Sequence, residues 1–160
     1  SGGWWIACWL KPVRRRSTWS GTRRGAAAAQ LVTQLPGRAA QTRRLIGLGP
    51  SNKGVSKVGS LTDRLPARAP GENDWGPLHP GIDYTMVMTR YDEVASPYTN
   101  GYLPARANVT NILFQDVCEK SQVGHLGLPY DRAVGEVVST RLDGRVPVAA
   151  ELSCSPSYPL

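Results

Sequence analysis

The sequence predicts an α+β protein: a small C-terminal domain of a strand, a helix and a β-hairpin. A long basic, Gly/Pro-rich extended arm with little regular structure precedes it. Three observations predict this division. Residues 1–70 hold 13 Lys and Arg against one acid, Asp63, whereas residues 71–160 hold 6 basic and 11 acidic residues. The 160-residue chain contains 17 Gly and 13 Pro, a composition of turns and extended segments. Clear hydrophobic periodicity begins only after Gly81. The arm is therefore placed at residues 1–75 and the domain at 76–160, with the boundary between Pro70 and Gly81.

Within the arm, "SGGWWIACWLKPVRRRSTW" joins Trp4, Trp5, Trp9 and Trp19 to Arg14, Arg15 and Arg16 without a regular period. "GAAAAQLVTQL", Gly25 to Leu35, is rich in good helix formers and predicts a short helix that Pro36-Gly37 stops. "RAAQTRRLIGLGP" adds at most a further turn or two before Gly47, Gly49 and Pro50. From Ser51 to Gly81, repeated Gly, Ser and Pro read as a linker.

In the domain, "IDYTMVMTRY" alternates. Ile82, Tyr84, Met86 and Met88 share one side and Asp83, Thr85 and Thr89 the other, which predicts a half-buried strand. Asn100-Gly101 signals a turn. "ANVTNILFQDVCEKSQVG" predicts a helix capped by Asn108 or Thr110, with Val109, Ile112, Leu113, Val117 and Ser121 on one face and Gly124 at its end. "AVGEVVSTRLDGRVPVAAEL" predicts a hairpin turning at Asp143-Gly144, with Pro147 marking an edge strand.

Charge and aromatic content direct the functional expectation. Sixty residues without a carboxylate suit phosphate, anionic lipid or an acidic protein partner. Arg14, Arg15, Arg16, Arg23, Arg24, Arg38, Arg43, Arg44, Lys53 and Lys57 are the candidate RNA-binding residues, because the planar arginine fork matches phosphate. Trp4, Trp5, Trp9 and Trp19 are the candidate interface anchors, able to stack on bases, enter grooves of neighbouring subunits or sit at a membrane surface. The longest apolar run, Trp4 to Leu10, has seven residues, short of the roughly 20 needed to span a bilayer.

Catalytic signals are sparse. His79 and His125 are the only histidines, with Asp74, Asp83 and Asp131 near them in sequence and Asp92-Glu93 as a carboxylate pair. His79, in the turn-rich "GPLHPG", reads as a loop histidine, and Cys118 reads as a core cysteine. "GLGPSNKG" lacks the spaced Gly-Lys-Ser/Thr of a phosphate loop. Cys8, Cys118 and Cys154 are odd in number and far apart, which predicts reduced thiols. Asn108-Val109-Thr110 fits a glycosylation sequon but is read as a chance tripeptide. No metal, cofactor or small-molecule substrate is expected, and no enzymatic activity.

The expectation is a non-catalytic structural subunit of a large RNA-containing assembly, such as an organellar ribosome in a mitochondrion or chloroplast. The basic arm would contact RNA while the domain packs on neighbouring subunits. One alternative is an accessory subunit of a membrane-bound respiratory or photosynthetic complex, its Trp-rich start at the membrane interface. A small viral coat protein with a basic arm is the other, with too few predicted strands for a jelly roll.

Overall fold

A computed structural model describes residues 17–22, 33–53 and 77–155 of the chain. Four strands form one sheet in the order β1-β2-β3-β4, and every neighbouring pair is parallel. They are β1 (Ser17–Thr22), β2 (Thr42–Leu48), β3 (Asp83–Met88) and β4 (Val109–Leu113). Helix α1 (Arg38–Gln41) leads into β2, the single turn α2 (Phe114–Val117) follows β4, and α3 (Arg132–Leu142) is the longest helix described.

The sheet is buried on both faces, as a parallel sheet must be when its crossovers cover it. Leu45, Tyr84, Met86 and Met88 pack with Leu78, Ile82 and Leu103 on one side. Ile46, Leu48, Val87 and Ile112 pack on the other against Phe114, Val123, Leu128 and the Ala133, Val134 and Val137 stripe of α3. The alternation predicted for β3 is therefore real, but its second face is also inside. Thr85 is buried there because Arg141 of α3 donates from Nε to its hydroxyl (3.0 Å) and from Nη2 to that of Thr110 (3.2 Å), its register partner on β4.

These elements correct the predicted fold class: the architecture is α/β with a parallel sheet, not an α+β domain behind an extended arm. β1 and β2 come from the basic half of the sequence; β1 pairs with β2, and β2 with β3. The predicted helix over 107–124 is β4 followed by one turn. Val109, Ile112 and Leu113 fit a helical stripe as well as the two faces of a strand, so periodicity does not separate the two. Asn111 settles the strand, exchanging hydrogen bonds through its carboxamide with both backbone groups of Leu103 (2.8 and 3.1 Å).

The predicted hairpin is α3 and its C-terminal cap. Asp131 caps the N-terminus by accepting from the Val134 N–H at 3.1 Å. At the other end Gly144 adopts φ +79°, Gly144 N–H donates to Arg141 O (3.1 Å) and Arg145 N–H to Thr140 O (3.0 Å). This is the left-handed glycine stop of a helix. Asp-Gly suits it for the same reason it suits a hairpin turn, since both need a residue that accepts positive φ. Of the helix predicted over Gly25–Leu35, residues 25–32 lie outside the described ones. The Asn100-Gly101 signal ends a 3-10 turn, Tyr98–Gly101.

The cysteine reading is corrected too: Cys118 and Cys154 form a disulfide across 36 residues of sequence. Replacing both by Ser is expected to cost about 4 kcal/mol through the freed unfolded chain, read as a lower urea midpoint. A Cβ on Gly144 would lie 2.5 Å from Arg44 Nη2 and be held at positive φ. Gly144→Ala is therefore expected to lose about 1–2 kcal/mol in the same measurement.

Candidate active site

Parallel pairing sends the carboxyl ends of all four strands to one edge, where open α/β sheets place their ligands. Asp92 follows β3 by four residues, and His125 lies on the loop between α2 and α3. His125 Nδ1 sits 2.9 and 2.8 Å from the two Asp92 carboxylate oxygens, and each side chain is only 1% exposed. Asp92 Oδ1 also accepts from the backbone N–H groups of Val94 and Ala95. The carboxylate is thus the common acceptor and Nδ1 the donor, so in the neutral ring the lone pair is on Nε2.

Among the described residues, Nε2 of His125 is the one buried side-chain polar atom without a hydrogen-bond partner. Leaving such a group unpaired costs about 1–3 kcal/mol, so native folds seldom retain one without a use.

Backbone and neighbours fix the ring. Gly49, at the end of β2 with φ +54°, lies under it: a Cβ there would be 2.9 Å from His125 Nδ1. Glu93 accepts the His125 backbone N–H at 2.8 Å, so two successive carboxylates hold one histidine, by its ring and by its main chain. Gly124 makes room for this, since a Cβ there would meet Glu93 Oε2 at 2.7 Å. A parallel bridge between Tyr91 and Gly124 joins the two loops. Tyr91, Leu126 and Tyr130 are exposed apolar or aromatic side chains on these same loops.

Ser20 belongs to β1, in register with Ile46 of β2, the strand that Gly49 follows beside the ring. Its residue is partly buried.

Of the predicted RNA-binding residues, Arg14, Arg15, Arg16, Arg23, Arg24 and Lys57 lie outside the described residues, as do Trp4, Trp5 and Trp9 among the anchors. Trp19 is on β1 in register with Leu45. Arg38, Arg43 and Lys53 are exposed, and Arg38 donates to Gln41 Oε1 at 3.3 Å. Arg44 points inward, donating to Leu142 O (2.9 Å) with Asp83 3.6 Å away. Burial, with Arg43 and Arg141 nearby, pulls its guanidinium below the ordinary arginine value. His79 is in an exposed turn, its Nδ1 accepting from Gly81 N–H at 3.1 Å.

Sequence reasoning noted Asp92 and His125 but did not join them, because it read β4 as a helix. A parallel reading would have placed both at the carboxyl edge, 33 residues apart in sequence. Among the described residues no group of three or more His, Cys, Asp or Glu could hold a metal ion, and no helix is long and apolar enough to cross a membrane.

No protein-family model and no curated protein matches the chain. Among solved structures, the crystal structure of Aspergillus fumigatus lipase B is similar to it, with TM-score 0.65 and 16% identity. The match covers 90% of this chain and 42% of that one. At this identity the likeness is one of fold, an α/β hydrolase-like arrangement around the parallel sheet. It overturns the expected structural subunit of an RNA-containing assembly, together with the membrane-complex and viral-coat alternatives. Those rested on a free basic arm, and two strands of the sheet occupy that half of the sequence.

Asp92→Ala would strand the His125 Nδ1–H and two backbone N–H groups inside the protein. A loss of about 3 kcal/mol or more is expected in urea unfolding, against about 1 kcal/mol for an ordinary substitution.

Proposed function

We propose that this protein hydrolyses carboxylic esters through Ser20, His125 and Asp92, acting as nucleophile, general base and orienting carboxylate. The observation that carries the reading is the buried Asp92–His125 pair with its unpartnered Nε2. Proposing catalysis departs from the sequence-based expectation of a chain without enzymatic activity. The order Ser, Asp, His along the chain is that of α/β hydrolases, and the fold likeness to a lipase supports an ester as substrate.

In this reaction Ser20 Oγ attacks the ester carbonyl while His125 Nε2 takes its proton. Asp92 holds the Nδ1–H and stabilises the imidazolium that forms. Nε2 returns the proton to the departing alcohol, leaving an acyl-serine. Water then attacks the acyl carbon, again giving its proton to Nε2, and the carboxylic acid leaves as Ser20 regains its hydrogen. The role of Asp92 follows from its burial: a fixed carboxylate keeps the imidazole in the tautomer whose lone pair is on Nε2.

Ser20 is named because β1 adjoins the strand that ends beneath the histidine ring. Its surroundings differ from the sharp nucleophile turn of such enzymes. Thr18 and Thr22 stand where that turn carries glycines, and β1 continues through Ser20. Identification of the labelled residue is therefore the informative experiment. A fluorophosphonate ester is expected to form one adduct, mapped to Ser20 by peptide mass spectrometry and absent in His125→Ala. Hydrolysis of p-nitrophenyl butyrate is expected to vanish in Ser20→Ala and to fall about 10³–10⁴-fold in kcat in Asp92→Asn, where the tautomer is lost. An intact chain that forms no adduct, or one indifferent to His125, would overturn the reading.

A further inference from the structure

We infer that Gln115 is a positioning residue that sets the Asp92–His125 geometry by clamping together the two loops that carry them. The inference rests on the hydrolase reading for its catalytic consequence, though not for its structural one. Gln115 lies in α2, immediately after β4, and is 6% exposed.

Its carboxamide is used on both sides. Oε1 accepts from Arg90 N–H at 2.8 Å, two residues before Asp92. Nε2 donates to Thr89 Oγ1 (3.0 Å) and to Ser121 O (3.2 Å), the latter on the loop leading to His125. Thr89 extends the clamp. Its hydroxyl donates to Val123 O at 2.6 Å, two residues before His125, and accepts from Tyr91 N–H at 3.2 Å as well as from Gln115.

A threonine hydroxyl has one hydrogen and two lone pairs, and all three are committed here. Both Nε2 hydrogens of Gln115 are committed too. The amide orientation is therefore fixed, since a flip would set Nε2 against the Arg90 N–H and Oε1 against the Ser121 carbonyl.

These bonds reach the loops two to four residues upstream of Asp92 and of His125, close enough that a tilt of the backbone there moves both side chains. Displacement of a reacting group by about 1 Å can cost on the order of 100-fold in rate. A core glutamine that merely filled space could be replaced by any side chain of its volume. Gln115 cannot be exchanged so freely, because its partners are three polar groups on two separate loops, and those on Thr89 and Ser121 are buried. Gln115→Glu keeps the volume and the acceptor for Arg90, but sets an oxygen against Ser121 O and draws the Thr89 hydrogen away from Val123.

The test compares the full chain with Gln115→Glu, Thr89→Val and Thr89→Ser. The far-downfield proton resonance of His125 Nδ1–H, assigned by its absence in His125→Ala, is recorded with kcat and KM for p-nitrophenyl butyrate. Gln115→Glu and Thr89→Val are expected to shift or broaden the resonance and to lower kcat about 10–100-fold, with KM held within about twofold. Thr89→Ser, which restores the hydroxyl, is expected to match the parent in both. Parental resonance and parental kcat in a folded Gln115→Glu or Thr89→Val would overturn the assignment. If the parent itself cleaves no ester, the hydrolase reading fails, and the resonance comparison alone still decides for or against the clamp.

Discussion

Parallel pairing is the constraint on which the rest of this structure depends. A parallel strand cannot be joined to its neighbour by a tight turn, so the chain must return across a face of the sheet after each strand. Described residues cover both faces, which is why Leu45 and Ile46 are inside although they point in opposite directions. The same geometry delivers every strand's carboxyl end to one edge. Gly49, Asp92 and His125 approach each other there although 76 residues of sequence separate the first from the last.

A charged or polar pair at such an edge must be stabilised by something other than water, since both side chains are sealed. The fold meets this with backbone donors: Val94 and Ala95 give their N–H groups to Asp92, and Glu93 takes that of His125. Around them, Gln115 and Thr89 use every side-chain polar hydrogen they have on the same two loops. Satisfied polar groups specify one arrangement of a buried network, and here they leave a single basic nitrogen over.

The sequence was legible where local chemistry decides. Tyr84, Met86 and Met88 do share a face, and the positions of both turn glycines, Gly101 and Gly144, were marked. It misled where the environment decides. Val109, Ile112 and Leu113 have a helical spacing that tertiary pairing turns into a strand, and Asp143-Gly144 caps a helix with the residues of a hairpin. The basic first half suggested an arm because charge was counted without pairing. Arg44 of β2 in fact spends its guanidinium on the end of α3, through Leu142 O. The Asp92–His125 pair was out of reach for a related reason: its members meet only once β3 and β4 lie side by side.

The Cys118–Cys154 bridge gives this region a property of its own. His125, α3 and the loop between them all belong to one covalent ring, closed 36 residues apart along the chain. A protease that cuts once inside the ring does not release a fragment, because both halves stay joined through sulfur. The histidine remains tethered to the sheet beside Asp92 after a break that would set it adrift in an open chain. In an oxidising medium the site is thus attached to its scaffold by two strands of covalent bonds, and in a reducing one by a single strand.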